Sequence, residues 1–201
     1  MAVTGSTKEQ IVGAAIETLR TEGFAGTSAR AIARTGEFNQ ALIFYHFGSV
    51  NSLLLEALRE TSDRRMATYS AALEGIDTPD QLLRVAADAY REDVRAGHLT
   101  VLAEMIAGSS SAPELGREIA GLLQPWMAFA EAAIERAGSG LALADLPPAR
   151  DLAFAVVALY LGTELLAHLE GDTHQAESMF ASLQETVAML QPFFGKPGKE
   201  S

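Results

Sequence analysis

The chain has 201 residues, a net charge of −11 at pH 7 and 48% hydrophobic residues, which is enough for one large domain or two unequal ones. The absence of cysteine excludes disulfides, thiol catalysis and cysteine-based metal sites. The N-terminal stretch MAVTGSTKEQ lacks a basic and then apolar leader, and no apolar run approaches the ~20 residues of a membrane helix. We therefore expect a cytoplasmic protein with no membrane partner.

The acidic charge is concentrated in the later part of the chain. Residues 1–60 hold five Lys/Arg and six Asp/Glu, whereas the remainder holds ten and twenty. A nearly neutral first part predicts only modest nonspecific affinity for nucleic acid. The acidic remainder would be repelled by DNA.

The first helix is predicted to begin at Ser6 or Thr7, because Ser6 and Glu9 have the spacing of a capping box. Its apolar stripe consists of Ile11, Ala15, Ile16 and Leu19. Gly23 is the predicted end of this helix.

Residues 27–47 predict two short helices joined by a tight turn. Thr27 or Ser28 caps the first of them, and Asn39 can cap the second with its side-chain oxygen. The outer face of the second helix carries mostly large groups able to bond to phosphates or base edges. This order of helix, turn and helix is typical of the helix-turn-helix unit, whose second helix enters the major groove of DNA.

This stretch resembles the TetR-type one-component transcriptional regulators. The family signature aligns without a gap at Thr27, Ser28, Arg30, Ile32, Ala33, Gly36, Glu37, Phe38, Asn39, Ala41, Ile43, Phe44, His46, Phe47, Ser49 and Val50. The similarity extends upstream through Glu22-Gly23-Phe24 and downstream into Leu53-Leu54, so it covers about a quarter of the chain.

Three positions depart from the family pattern. Glu37 occupies the place of the turn glycine, which predicts either a left-handed backbone at some cost or a reshaped turn. Phe44 replaces a tyrosine and Val50 replaces a lysine, so two expected phosphate contacts are lost, although Tyr45 supplies a neighbouring hydroxyl.

The resemblance implies a set of DNA contacts, of which Gln40, Tyr45 and His46 are the foremost. By periodicity alone these three side chains equally suit a solvated polar face. Thr27 and Ser28 also suit plain helix caps, and Arg30 and Arg34 suit either phosphate contact or solvation. The predicted DNA-binding residues are Thr27, Ser28, Arg30, Asn39, Gln40, Ala41, Leu42, Phe44, Tyr45 and His46.

The rest of the chain predicts further helices and no strand period. They lie near residues 49–73, 79–97, 99–107, 113–136, 148–169 and 173–194, and Pro125 is able to kink or divide the fourth of them. The predicted fold is all-α, with a helix-turn-helix DNA-binding domain in residues 1–48 and a helical ligand-binding and dimerisation domain in residues 49–201.

The helix that begins at Asp151 is apolar around nearly its whole circumference, so it must be covered on all sides. A central core helix of a monomer satisfies this requirement, and so does a helix buried partly against a second chain. TetR-like proteins dimerise through their last two long helices, and the resemblance implies a homodimer here. We expect Val157, Leu161 and Leu165 to form the outward stripe.

Polar-tipped aromatic residues and methionines of the second region suit an adaptable ligand cavity, although each also suits an ordinary core. The candidates are Met66, Tyr69, Tyr90, Met105, Trp126, Met127 and Tyr160. The spacing of His98, His168 and His174 predicts no metal site. No cofactor is predicted, and no Ser-His-Asp order, Gly-rich phosphate loop or paired carboxylate cluster indicates an enzyme.

The sequence therefore predicts a homodimeric transcriptional regulator that binds a palindromic operator and acts as a repressor released by a small-molecule effector. The alternative from another class is a helical ligand- or partner-binding protein whose DNA-binding head is degenerate. Glu37, Phe44 and Val50 are the residues that favour this alternative.

Overall fold

The computed structural model describes residues 6–110, 113–138, 147–170, 172 and 174–194. Every regular element in these ranges is an α-helix, which confirms the all-α fold. The helices are α1 (Thr7–Gly26), α2 (Ala29–Thr35), α3 (Ala41–Phe47), α4 (Val50–Ala72), α5 (Pro79–Ala96), α6 (His98–Ser109), α7 (Pro113–Gly138), α8 (Ala149–Glu170) and α9 (His174–Phe194). Pro125 lies inside α7, which runs through it as one helix.

The chain divides by packing into two compact units. The first unit consists of Met1–Arg65 and Gly97–Leu122, and the second unit consists of Met66–Ala96 and Leu123–Ser201. These units are defined by packing alone, so the division into domains of residues 1–48 and 49–201 stays a prediction. No single described helix is both long and apolar enough to cross a membrane, and α3 with α4 meets those limits only when joined across a 65° bend.

Helix α1 begins and breaks where local chemistry requires it. The Ser6 hydroxyl accepts from the Glu9 N–H at 3.3 Å, and the Glu9 carboxylate accepts from the Ser6 N–H at 2.7 Å, which confirms the capping box. Gly23 has φ 69° and ψ 177°, a conformation that glycine adopts without steric cost. The helix therefore breaks at Gly23 and continues to Gly26 beyond the break.

The core of the first unit lies under α1, α2, α3 and α4, and α6 packs against α1. The Glu104 carboxylate of α6 accepts the Phe24 N–H at 2.7 Å, just after the break in α1. A side chain at Gly108 would overlap the Phe24 ring, so the close approach of α6 to this ring requires glycine. Fully buried side chains of this core include Ile11, Leu19, Ile32, Ile43, Leu53, Leu54 and Met105.

In the second unit α5 packs against α9, and α8 also contacts α9. Ala87 and Tyr90 of α5 are almost fully buried, together with Phe180 of α9. The rings of Tyr90 and Phe180 lie 5.2 Å apart between centroids, within the range of favourable aromatic pairs. Burial of large side chains from these two helices therefore builds the core of this unit.

Helix α8 leaves a wide apolar surface uncovered in the single chain. The exposed members, which we call the α8 apolar surface, are Phe154, Val156, Leu159, Leu165, Leu166 and Leu169. Of the stripe predicted from the sequence, Leu165 is exposed, whereas Val157 and Leu161 are half-buried. Of these three residues, only Leu165 therefore lies on the α8 apolar surface, since an all-round apolar sequence does not indicate which side of the helix faces out.

Candidate functional site

The turn between α2 and α3 is held by close backbone packing. A β-carbon on Gly36 would overlap the Phe38 ring and lie 2.8 Å from Cβ of Ala14, so this position requires glycine. Glu37 has φ 54° and is the one non-glycine residue of the described ranges with a left-handed backbone. Of the two possibilities that the sequence left open, Glu37 therefore takes the left-handed conformation at some steric cost.

The start of α3 is fixed by Asn39, whose side-chain oxygen accepts from the Ala41 N–H at 2.9 Å. This bond confirms the predicted cap. Gln40 occupies the boundary position of the helix but makes no capping bond with its side chain. Its exposed amide therefore stays available for another partner.

Helix α3 is anchored from one side and presents the other to solvent. Ile43 is fully buried, whereas Tyr45 is 81% exposed and Phe44 is 52% exposed. The His46 ring packs edge-on against Tyr45, with centroids 4.9 Å apart, and lies 6.3 Å from the Phe47 ring. The helix thus carries two large exposed aromatic rings on a rigid base, next to the exposed Gln40 and Ala41. Leu42 is half-buried at the edge of this face.

The hydroxyl groups before α2 are engaged locally. The Thr27 hydroxyl donates to the Gly23 carbonyl at 2.7 Å, and the Ser28 hydroxyl accepts from the Ala31 N–H at 3.2 Å. Ser28 is therefore the cap of α2, and its hydroxyl proton is not used in that bond. The Thr27 hydroxyl proton is already donated to the Gly23 carbonyl near the end of α1.

The two arginines of α2 differ in their surroundings. Arg34 donates to the Glu22 carboxylate at 2.6 Å. Arg30 is exposed and makes no ion pair with any residue in the described ranges. Arg30 is therefore the more available cation for an external phosphate or base.

A second cluster of candidate residues lies inside the second unit. The Tyr69 and Trp126 rings are 5.9 Å apart between centroids, and the Tyr90 and Tyr160 rings are 5.6 Å apart. Tyr69 and Tyr160 both donate their hydroxyl protons to Asp93, at 2.5 Å for Tyr69. Four of the seven predicted ligand-binding residues are thus brought together.

Two acidic residues of this aromatic cluster were not predicted from the sequence. Asp93 is fully buried and Glu164 is nearly so. The Tyr90 hydroxyl makes no hydrogen bond of good geometry within the described ranges, although Glu164 interacts with it. Burial raises the pKa of Tyr90 to about 12, and the charges of Glu164 and Glu177 add to that shift. An acidic residue within the mostly apolar helix α8 is the pattern that could have indicated Glu164, whereas α5 carries many charged residues and no such pattern marks Asp93.

The remaining candidates lie elsewhere in their helices. Met105 is fully buried in the first unit, where α6 packs against α1, so it does not join the aromatic cluster of the second unit. Met66 on α4 and Met127 on α7 are half-buried.

Comparison with known proteins agrees with this geometry. Residues 11–57, from the buried part of α1 to the first turns of α4, match the family described as bacterial regulatory proteins, tetR family. This part of the chain is a tetR-family domain. The matched residues include α2, the turn after it and α3, which the sequence predicts to be a helix-turn-helix.

The known proteins that resemble this chain do so to different extents. A probable HTH-type transcriptional regulator, YttP of Bacillus subtilis strain 168, is 31% identical over 86 residues. That match spans 41% of this chain and only 42% of the relative, so the chain matches less than half the length of this curated relative.

Solved structures extend the similarity over the whole fold. A TetR-family regulator from Agrobacterium tumefaciens superposes with a TM-score of 0.76 at 20% identity, covering 90% of this chain and 97% of that one. The fatty acid degradation regulator FadR of Bacillus halodurans gives a TM-score of 0.75 at 14% identity, covering 91% and 96%. At such identities the likeness concerns the fold alone.

Proposed function

We propose that this chain is a DNA-binding transcriptional repressor that acts as a homodimer on a palindromic operator and is released by a small-molecule effector. The exposed outer face of α3, with Tyr45 81% exposed on a helix anchored by the buried Ile43, carries this proposal. A rigid helix with large exposed side chains is what direct readout in the major groove requires. Binding to the chromosome also requires the cytoplasmic location that the sequence predicts.

Contacts on two sides of α3 position it on the duplex. The exposed Arg30 on α2 and the Tyr45 hydroxyl supply donors for phosphate oxygens, which fix register rather than sequence. The Ser28 hydroxyl adds a third donor near the start of α2. Gln40 and Phe44 are left to face base edges.

The α8 apolar surface supports a homodimer. Phe154 and Leu169 are 62% and 72% exposed in the single chain, and exposed apolar patches of this kind mark interaction sites. A second copy of the same surface covers both by two-fold symmetry. The two recognition helices then read half-sites about one helical turn apart (~34–36 Å) or a multiple of it.

The aromatic cluster of the second unit is the proposed effector site. Tyrosine and tryptophan side chains combine apolar rings with polar tips, as small-molecule sites require. The two tyrosine hydroxyls held by Asp93 are already oriented, so an effector would compete for defined hydrogen bonds. An effector that binds one packing of this unit better than another shifts the equilibrium between DNA-competent and DNA-incompetent states by that difference in affinity.

Selection of genomic fragments by the purified chain tests this function. We expect a palindromic sequence to be enriched, and Tyr45→Ala to weaken binding to it about tenfold or more. Circular dichroism on the same sample should be unchanged, because Tyr45 lies outside the core. Gln124→Ala, an exposed change on α7, is the matched control and should bind like the wild type. If no palindrome is enriched, the alternative of a ligand- or partner-binding protein with a degenerate head is favoured instead.

A further inference from the structure

The recognition helix lacks the side chains that read guanine. Bidentate contact to the O6 and N7 atoms of guanine is made by arginine or lysine. Residues 37–47, which contain α3 and the turn before it, include neither of them. His46 cannot make this pair, because its two ring nitrogens point in opposite directions, and its ring is packed edge-on against Tyr45. Arg30 is cationic but lies on α2, outside the helix that enters the groove.

Gln40 has the chemistry that reads adenine. A glutamine amide donates to N7 and accepts from N6 of adenine in a bidentate pair. Asn39, which could do the same, already uses its side-chain oxygen to accept the Ala41 N–H at 2.9 Å. Gln40 makes no capping bond and is exposed, so both of its amide groups are available to a base.

Apolar groups lie beside Gln40 on the same face. Phe44 follows Gln40 by four residues and Ala41 by three, and residues at these spacings are neighbours on a helix surface. The Phe44 ring is 52% exposed, and Ala41 is exposed as well. An apolar side chain in the major groove contacts the 5-methyl group of thymine, which cytosine does not have.

We propose that α3 reads A·T base pairs, with Gln40 on an adenine and with Phe44 and Ala41 on thymine methyl groups. This proposal rests on the proposed DNA-binding function. The operator half-site then has an A·T segment under α3 and specifies no guanine there. A guanine contact, where the operator has one, is left to Arg30 at the edge of that segment.

Selection from a randomised duplex library with the full-length chain is the first test. We expect the wild type to select a palindrome. The positions at which Phe44→Ala or Gln40→Ala alters the base preference define the segment under α3. The wild type should prefer A·T pairs at these positions. Gln40→Arg should move the preference at the base that Gln40 contacts toward guanine, because arginine can donate two hydrogen bonds to the O6 and N7 atoms of guanine. Gln124→Ala on α7 is the control and should select the wild-type sequence.

Base analogues in the selected operator then test each contact separately. Replacing one thymine by uracil removes only the methyl group, and at ~0.8 kcal/mol per buried methyl this lowers wild-type affinity about fourfold. At the thymine that Phe44 contacts, Phe44→Ala should bind the two duplexes equally, because the methyl group then has no partner ring. Replacing adenine by 7-deazaadenine removes the N7 acceptor and should weaken the wild type severalfold but leave Gln40→Ala unchanged.

The outcomes separate the two proposals. A palindrome with G·C pairs under α3, or a wild-type chain that is insensitive to uracil at every thymine of the segment, overturns the A·T readout while DNA binding stands. Failure to enrich any palindrome overturns the regulator function, and the readout with it.

Discussion

A charge placed on the α8 apolar surface should dissociate the proposed homodimer. Leu165 and Leu169 are four residues apart on one side of α8 and are 50% and 72% exposed. Complete burial of a leucine contributes ~2 kcal/mol, so covering the parts of both that are still exposed contributes ~5 kcal/mol per symmetric dimer. Replacement of both leucines by glutamate removes this contribution.

The new carboxylates add a cost of their own. Each ion buried without a partner costs several kcal/mol, and two-fold symmetry places every substitution in the interface twice. With ~1.4 kcal/mol for each factor of ten, the dimer dissociation constant of Leu165→Glu/Leu169→Glu should rise by ~10⁴-fold or more. Both positions are exposed in the single chain, so the monomer should stay folded.

Light scattering over a dilution series measures this effect, with circular dichroism as the check on folding. The wild type should have the mass of a dimer, and the double variant should have the mass of a helical monomer that no longer holds a palindromic site. Ile106→Glu is the matched control, because Ile106 is 41% exposed on α6 rather than on α8. A wild-type monomer, or a double variant that stays dimeric at the lowest concentration, refutes the interface. A double variant that unfolds would assign these leucines to the core of the protomer.

Three further changes test other parts of the argument. Glu37→Gly should raise the free energy of unfolding by up to ~1 kcal/mol in urea titrations, because the relief of a left-handed backbone exceeds the added entropy of the unfolded chain; a lower urea midpoint would contradict this. Val50→Lys should raise the affinity for operator and nonspecific DNA together. It should also steepen the slope of log affinity against log salt concentration by about one. An unchanged slope would show that residue 50 does not face the DNA backbone. Burial raises the pKa of Tyr90 from 10 to about 12, so the unfolded chain loses this proton at a lower pH than the folded chain. The free energy of unfolding should therefore fall as pH rises from about 10 toward 12. In urea titrations at several pH values, Tyr90→Phe should show a smaller fall.

The features that the sequence predicted well depend on neighbours within a few residues. The capping box of Ser6 with Glu9, the break at Gly23 and the Asn39 cap each involve atoms no more than one helical turn apart. Such interactions are encoded by residue type and spacing, and tertiary packing changes them little. The helix-turn-helix was therefore recognisable from the sequence alone.

The features that escaped prediction depend on contacts between distant parts of the chain. Met105 was a candidate ligand-binding residue, but α6 packs on α1 through the contact of Glu104 with Phe24, 80 positions earlier in the chain. Asp93 resembles any solvated acid of an amphipathic helix until Tyr69 and Tyr160 are seen to donate to it. No residue pattern within α4, α5 or α8 indicates that Tyr69, Asp93 and Tyr160 contact one another.

The three departures from the family pattern differ in what they are expected to affect, which is folding stability for Glu37 and DNA binding for Val50 and Phe44. The left-handed backbone of Glu37 affects folding stability and leaves the outer face of α3 in place. Val50 is expected to remove one phosphate contact, and Arg34 is engaged by an ion pair with Glu22. We expect both to lower the sequence-independent affinity that neutralised phosphates provide. Phe44 replaces a hydroxyl with apolar surface, which favours a thymine methyl over a phosphate. A regulator finds its site by the ratio of specific to nonspecific affinity rather than by affinity alone. A phosphate contact that is lost from both binding modes lowers the two affinities by the same factor and leaves that ratio unchanged, so a head that keeps its base readout stays selective although it binds DNA more weakly.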